Sequence, residues 1–113
     1  LAESNAAACP DPRLRILNPI LGSGFRAGTE LEVIGTATHP DAVRYQIEQR
    51  PFNAESWQPL NTIRRSTKLG ELASWNTTDL SPGLYEIRLT AVDRNNIRLT
   101  NTARCDIAIE LVP

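Results

Sequence analysis

Residues 80–93, LSPGLYEIRLTAVD, constrain the fold more than any other stretch of the chain. Pro82 presets its own φ and Gly83 tolerates a positive one, so the pair makes a turn. Beyond it Tyr85, Ile87, Leu89 and Ala91 alternate with Glu86, Arg88 and Thr90. An apolar face and a charged face repeating every two residues mark a strand buried on one side. A tyrosine just past a turn, opening a central strand, also fits a tyrosine corner, in which the hydroxyl returns to upstream backbone of a β-sandwich.

Six further stretches carry strand signals. Residues 13–17 alternate with Leu14 and Ile16 inward until Asn18-Pro19 stops them, and Gly22-Ser23-Gly24 and Gly28 mark a loop. In 30–38, Leu31, Val33, Gly35 and Ala37 face one way, with Gly35 marking a bulge or a close backbone approach. His39-Pro40-Asp41 turns the chain into a third strand, where Val43, Tyr45 and Ile47 alternate with Arg44, Gln46 and Glu48. Residues 50–56 read as polar loop, and 57–63 as a short strand that Pro59 places at a sheet edge. Residues 64–68 read as a solvated turn. In 71–77, Leu72 and Trp75 differ in parity, and a bulge near Ala73 reconciles them. Residues 94–96 are loop, and 103–111 close the set with Cys105, Ile107, Ile109 and Leu111 inward. Seven short strands with turns between them, and no helical period, predict an all-β fold: a two-sheet antiparallel β-sandwich. Its expected core is Leu31, Val33, Tyr45, Ile47, Trp75, Tyr85, Ile87, Leu89, Ile107 and Ile109. Residues 1–8, small and polar, read as linker, leaving 9–113 as the domain.

Composition narrows the function classes. At 113 residues, 41% apolar and 22% charged, the chain is one globular domain. A net charge of −1 gives no basic field for a nucleic acid backbone, and no apolar run is long enough for insertion into a membrane. With no Met, Leu1 is not an initiator, and the chain reads as a piece or a processed product. One His and two Cys do not supply the usual four ligands of a zinc site, and no cofactor is expected. Cys9 and Cys105 are either free buried thiols or a disulfide. Strands that alternate up and down favour the disulfide. Cys9 lies just before the first strand and Cys105 near the start of the last, at the same pole. Such a bond persists outside the cytoplasm.

Ile16-Leu17-Asn18-Pro19 followed by Gly22, Val33-Ile34-Gly35-Thr36-Ala37, Tyr45 followed by Glu48, GELASWNTT over 70–78, and Leu80-Ser81-Pro82-Gly83-Leu84-Tyr85 with Arg88-Leu89 form a recognisable set. Together they resemble bacterial immunoglobulin-like or fibronectin type III-like domains, over nearly all of 9–112. The resemblance implies a non-catalytic accessory module of an exported protein, periplasmic, extracellular or at the cell surface. Similar stretches sit beside the catalytic parts of some penicillin-binding proteins and secreted glycan-active enzymes. The implied partners are neighbouring domains and cell-wall glycan. The Cys9–Cys105 pair departs from the inter-sheet disulfide of antibody domains, and the third strand lacks a Trp, which argues against a vertebrate-type immunoglobulin domain.

Each candidate site has a plain counterpart. His39, the sole histidine, could serve a nucleophile, but its Thr-His-Pro-Asp setting reads as a loop. Glu30, Glu32, Glu48, Glu71, Glu86, Asp106 and Glu110 could pair for glycoside hydrolysis. Interleaved with Arg44, Arg88 and Arg104, they read as cross-strand charge pairs on a solvated face. Asp93-Arg94-Asn95-Asn96 offers too few oxygens for calcium and reads as an Asx-bonded turn. Trp57, with nearby Arg64 and Arg65, is the candidate ligand-binding group, an indole for sugar rings and cations for anionic polymer. Packing at the sheet edge is its counterpart, as core is for Trp75 and a hairpin tip for Arg64, Arg65 and Lys68. Asn76-Thr77-Thr78 matches the N-glycosylation acceptor pattern, which in a bacterial chain reads as coincidence.

Overall fold

The computed structural model describes residues 8–20, 22–99 and 104–113. The linker expected over 1–8 falls almost wholly outside them. The described residues form eight β-strands and no helix: β1 Leu14–Asn18, β2 Gly24–Arg26, β3 Glu30–Ala37, β4 Arg44–Pro51, β5 Gln58–Ile63, β6 Thr67–Asn76, β7 Gly83–Val92 and β8 Arg104–Val112. They build a three-stranded sheet, β1-β3-β6, and a five-stranded sheet, β2-β8-β7-β4-β5. Every pairing is antiparallel except β2 with β8.

The inward faces of the two sheets form one core. Leu14, Ile16, Leu31, Val33, Leu72 and Trp75 of one sheet cluster with Tyr45, Ile47, Ile87, Leu89, Ile107 and Ile109 of the other. All ten residues expected in the core are buried. Each fully buried apolar side chain contributes about 1.5–3 kcal/mol of transfer free energy, which is why the alternation in β7 was so readable. Cys9 and Cys105 are joined by a disulfide, both wholly buried, with Cα atoms 4.2 Å apart. Ala8 lies alongside, its carbonyl accepting the Asp106 N–H at 3.4 Å.

Several boundaries differ from expectation. The loop expected after β1 holds β2, whose three residues pair in parallel with Glu110, Leu111 and Val112. Arg50 and Pro51 belong to β4, paired with Glu86 and Tyr85, not to a loop. Val43 precedes β4 and is exposed, not inward. Thr67 and Lys68 belong to β6. Because β5 and β6 lie in different sheets, residues 64–66 cross between sheets and are not a hairpin tip. Pro59 does sit on an edge strand, β5. The bulge expected in β6 is present: Val33 pairs with Ala73 and Ile34 with Glu71, leaving Leu72 as the extra residue, so Leu72 and Trp75 are both buried. At Gly35, opposite Ile16, a Cβ would collide with the Arg15 carbonyl, so a close backbone approach fixes that glycine.

The Tyr85 hydroxyl donates to the Ser81 carbonyl at 2.7 Å, four residues upstream. The bond ties the turn over Pro82-Gly83 to the first inward residue of β7. Tyr85→Phe keeps the ring and removes that bond, with an expected loss of about 1 kcal/mol in urea unfolding. A variant as stable as the parent would show the hydroxyl to be idle.

Candidate functional site

The outward face of the five-stranded sheet carries most of the polar chemistry. Register sets its rows. Glu48 of β4 stands opposite Arg88 of β7, which stands opposite Asp106 of β8; Arg50 stands opposite Glu86. Directly opposed side chains in an antiparallel pair are in contact range, so opposite charges there attract. Arg50 Nε donates to Glu86 Oε1 at 2.8 Å. Arg88 Nη2 donates to Glu48 Oε1 at 2.9 Å. Arg98, from the segment after β7, adds Nη1 to Oε1 at 2.7 Å and Nη2 to Oε2 at 3.1 Å, gripping both Glu48 oxygens.

Trp57 closes this chain of contacts. It lies immediately before β5, half-buried, with the Arg50 guanidinium carbon 4.3 Å and that of Arg88 4.2 Å from its ring centroid. Cation–π attraction of this kind contributes roughly 0.5–2 kcal/mol. The sequence Glu86, Arg50, Trp57, Arg88, Glu48, Arg98 is thus one continuous stack of charge and ring. A sugar laid on the indole would compete with guanidinium groups already there. Arg64 and Arg65 are exposed beyond the far end of β5, about 20 Å of strand from Trp57. The structure therefore does not bring the three candidate ligand-binding residues together.

Burial of Glu48 acts to raise its pKa, but the hydrogen bonds and charges of Arg98 and Arg88 outweigh it and hold the carboxyl below its ordinary 4.5. Stabilisation from a depressed carboxylate is complete above the unfolded value and is lost as pH falls through the folded one. Asp106 acts in the opposite sense: burial raises its pKa, against the neighbouring Arg104 and Arg88. Glu48→Gln is expected to cost about 1 kcal/mol at neutral pH, discounted for the exposure of Arg98. It should also flatten the acid-side fall in stability, read from urea melts at neutral pH and about pH 3. An unchanged pH slope would refute this assignment. With three hydrogen bonds from guanidinium groups, Glu48 serves as a clamp, not as a proton donor.

The remaining candidates lie elsewhere. His39 is buried; its Nδ1 accepts the Asp41 N–H at 3.1 Å and its carbonyl accepts the Tyr45 hydroxyl at 3.2 Å, so it braces the turn into β4. Asp93 Oδ1 accepts the N–H of Asn95 at 2.9 Å and of Ile97 at 3.0 Å, the Asx-bonded turn expected there. Among the described residues, no three His, Cys, Asp or Glu side chains are placed to hold a metal. Sequence reasoning missed Arg50 and Arg98. Extending the β4 alternation by two residues would have found Arg50; Arg98 lies outside any period. Set beside known proteins, the chain matches no family model, no curated protein and no solved structure.

Proposed function

We propose that this chain is an immunoglobulin-like or fibronectin type III-like module of an exported bacterial multidomain protein, non-catalytic, holding neighbouring domains apart at the cell envelope. The observation that carries the reading is the placement of the chain about β8. The disulfide pins Cys9 beside Cys105 at the start of β8, whose other end, Val112, lies about 23 Å of strand away at the opposite pole. A body braced between those two points transmits position from one neighbour to the next. The strand order β1-β3-β6 against β2-β8-β7-β4-β5 and the Tyr85–Ser81 bond support the fold type. Exposed Phe52 and Leu84, at the pole where β8 ends, would pack against an adjoining domain.

The test is compartment and ligand together. Made in a bacterial periplasm, the chain should accumulate with Cys9 and Cys105 bonded; made in the cytoplasm it should be reduced and rapidly degraded. Free thiols in the periplasm, or equal persistence in both compartments, would refute the exported reading. Trp57 fluorescence should stay constant on titration with peptidoglycan fragments. A saturable shift would instead establish the alternative, a glycan-binding accessory module.

A further inference from the structure

The Asn76-Thr77-Thr78 triplet is the one sequence motif that the reading above leaves unused. The fold presents it in a specific way. Asn76 is the last residue of β6, on an edge of the three-stranded sheet, and both Asn76 and Thr78 are exposed. Between them Thr77 is wholly buried; its hydroxyl donates to the Thr29 carbonyl at 2.5 Å and accepts the Gly28 N–H at 3.0 Å. That anchor fixes the backbone on which its neighbours stand. The Thr78 N–H and hydroxyl both donate to Asn76 Oδ1, at 3.0 and 2.5 Å. These two bonds fix the orientation of the carboxamide and leave Nδ2 exposed on the sheet edge, with no hydrogen bond among the described residues. An amide nitrogen is a poor nucleophile that the transferase must itself activate; what the fold supplies is a fixed, accessible Nδ2 beside an exposed Thr78 hydroxyl.

Against the coincidence expected from the sequence, we infer that Asn76 is an acceptor for an N-linked glycan, delivered from a lipid-diphosphate-linked oligosaccharide; the inference rests on the export half of the reading above. In the transfer, Nδ2 forms a bond to the anomeric carbon of the first sugar. The bond from that carbon to the diphosphate oxygen breaks, the lipid diphosphate leaves with the electron pair, and one Nδ2 proton passes to a base of the transferase. The glycan would project from a sheet edge into solvent, away from the core and from the Trp57 face.

The purified, disulfide-bonded chain, incubated with an oligosaccharyltransferase of N-x-T specificity and its lipid-linked donor, is expected to gain the mass of one oligosaccharide at Asn76. Asn76→Gln and Thr78→Val should abolish the gain, and Thr78→Ser should retain it. Both substituted positions are exposed, and circular dichroism of each variant checks that it folds. No gain in the folded chain, a gain only after reduction and unfolding, or a gain that survives Thr78→Val would each overturn the inference. The thiol state in the periplasm is scored separately, so failure here leaves the exported reading standing.

Discussion

Replacing Cys9 and Cys105 together with alanine is expected to lower the unfolding free energy by about 4–5 kcal/mol. The bond joins residues 96 apart in sequence, and in the chain-entropy account a loop of that size restrains the denatured ensemble by about that amount. The parent stability of a domain this size is about 5–15 kcal/mol, so the loss is about a quarter of it or more. Local packing adds to the effect. Both sulfurs are wholly buried, and Cys105 Sγ accepts the Ile16 N–H at 3.4 Å, so the bridge touches β1 as well as closing the chain. The urea midpoint should fall, and the m-value should rise because the unlinked denatured chain exposes more surface. Reduced parent should match the double alanine variant. A midpoint change worth less than about 1 kcal/mol would refute the bridge as the main staple.

What was legible in the sequence follows from how each strand is solvated. β7 alternates cleanly through Leu89 because one face meets the core and the other bears Glu86 and Arg88, opposite Arg50 and Glu48 of β4; beyond Leu89, Thr90 and Val92 are buried as well. β6 was harder: adjacent Leu72 and Ala73 are both buried, which breaks the period, and only the need to bury Trp75 as well pointed to the bulge. β2 was invisible. Three residues, Gly24 to Arg26, are too few to show a period, and a pairing with β8 some 86 residues away leaves no local trace (Gly24 opposite Glu110). The outward stack divides in the same way. Glu48 and Arg88 were placed among outward cross-strand charges because strand parity predicts that, but their pairing with each other came only from the register. Their engagement with Trp57 and Arg98 depends on how the loops before β5 and after β7 fold back, which no spacing rule encodes.

Trp75→Ala is expected to cost about 3–5 kcal/mol, the range for deleting a large buried aromatic side chain. Trp75 is 2% exposed and stands opposite Leu31 on the three-stranded sheet. Its ring meets that of Tyr85 from the other sheet edge-on, centroids 5.8 Å apart and planes at 70°. The contact therefore spans the two layers at the level of the turn that Tyr85 anchors. Deleting the indole removes transfer free energy, leaves a cavity between the sheets and loses the ring pair at once. A double-mutant cycle separates these terms. If the ring pair contributes, Trp75→Ala and Tyr85→Ala should couple by about 0.5–1.5 kcal/mol. Additive losses would mean that the two rings are buried independently. In that case each loss is that ring's own burial, and Tyr85→Phe, which keeps the ring, should still show only the smaller hydroxyl-bond share of the Tyr85→Ala loss.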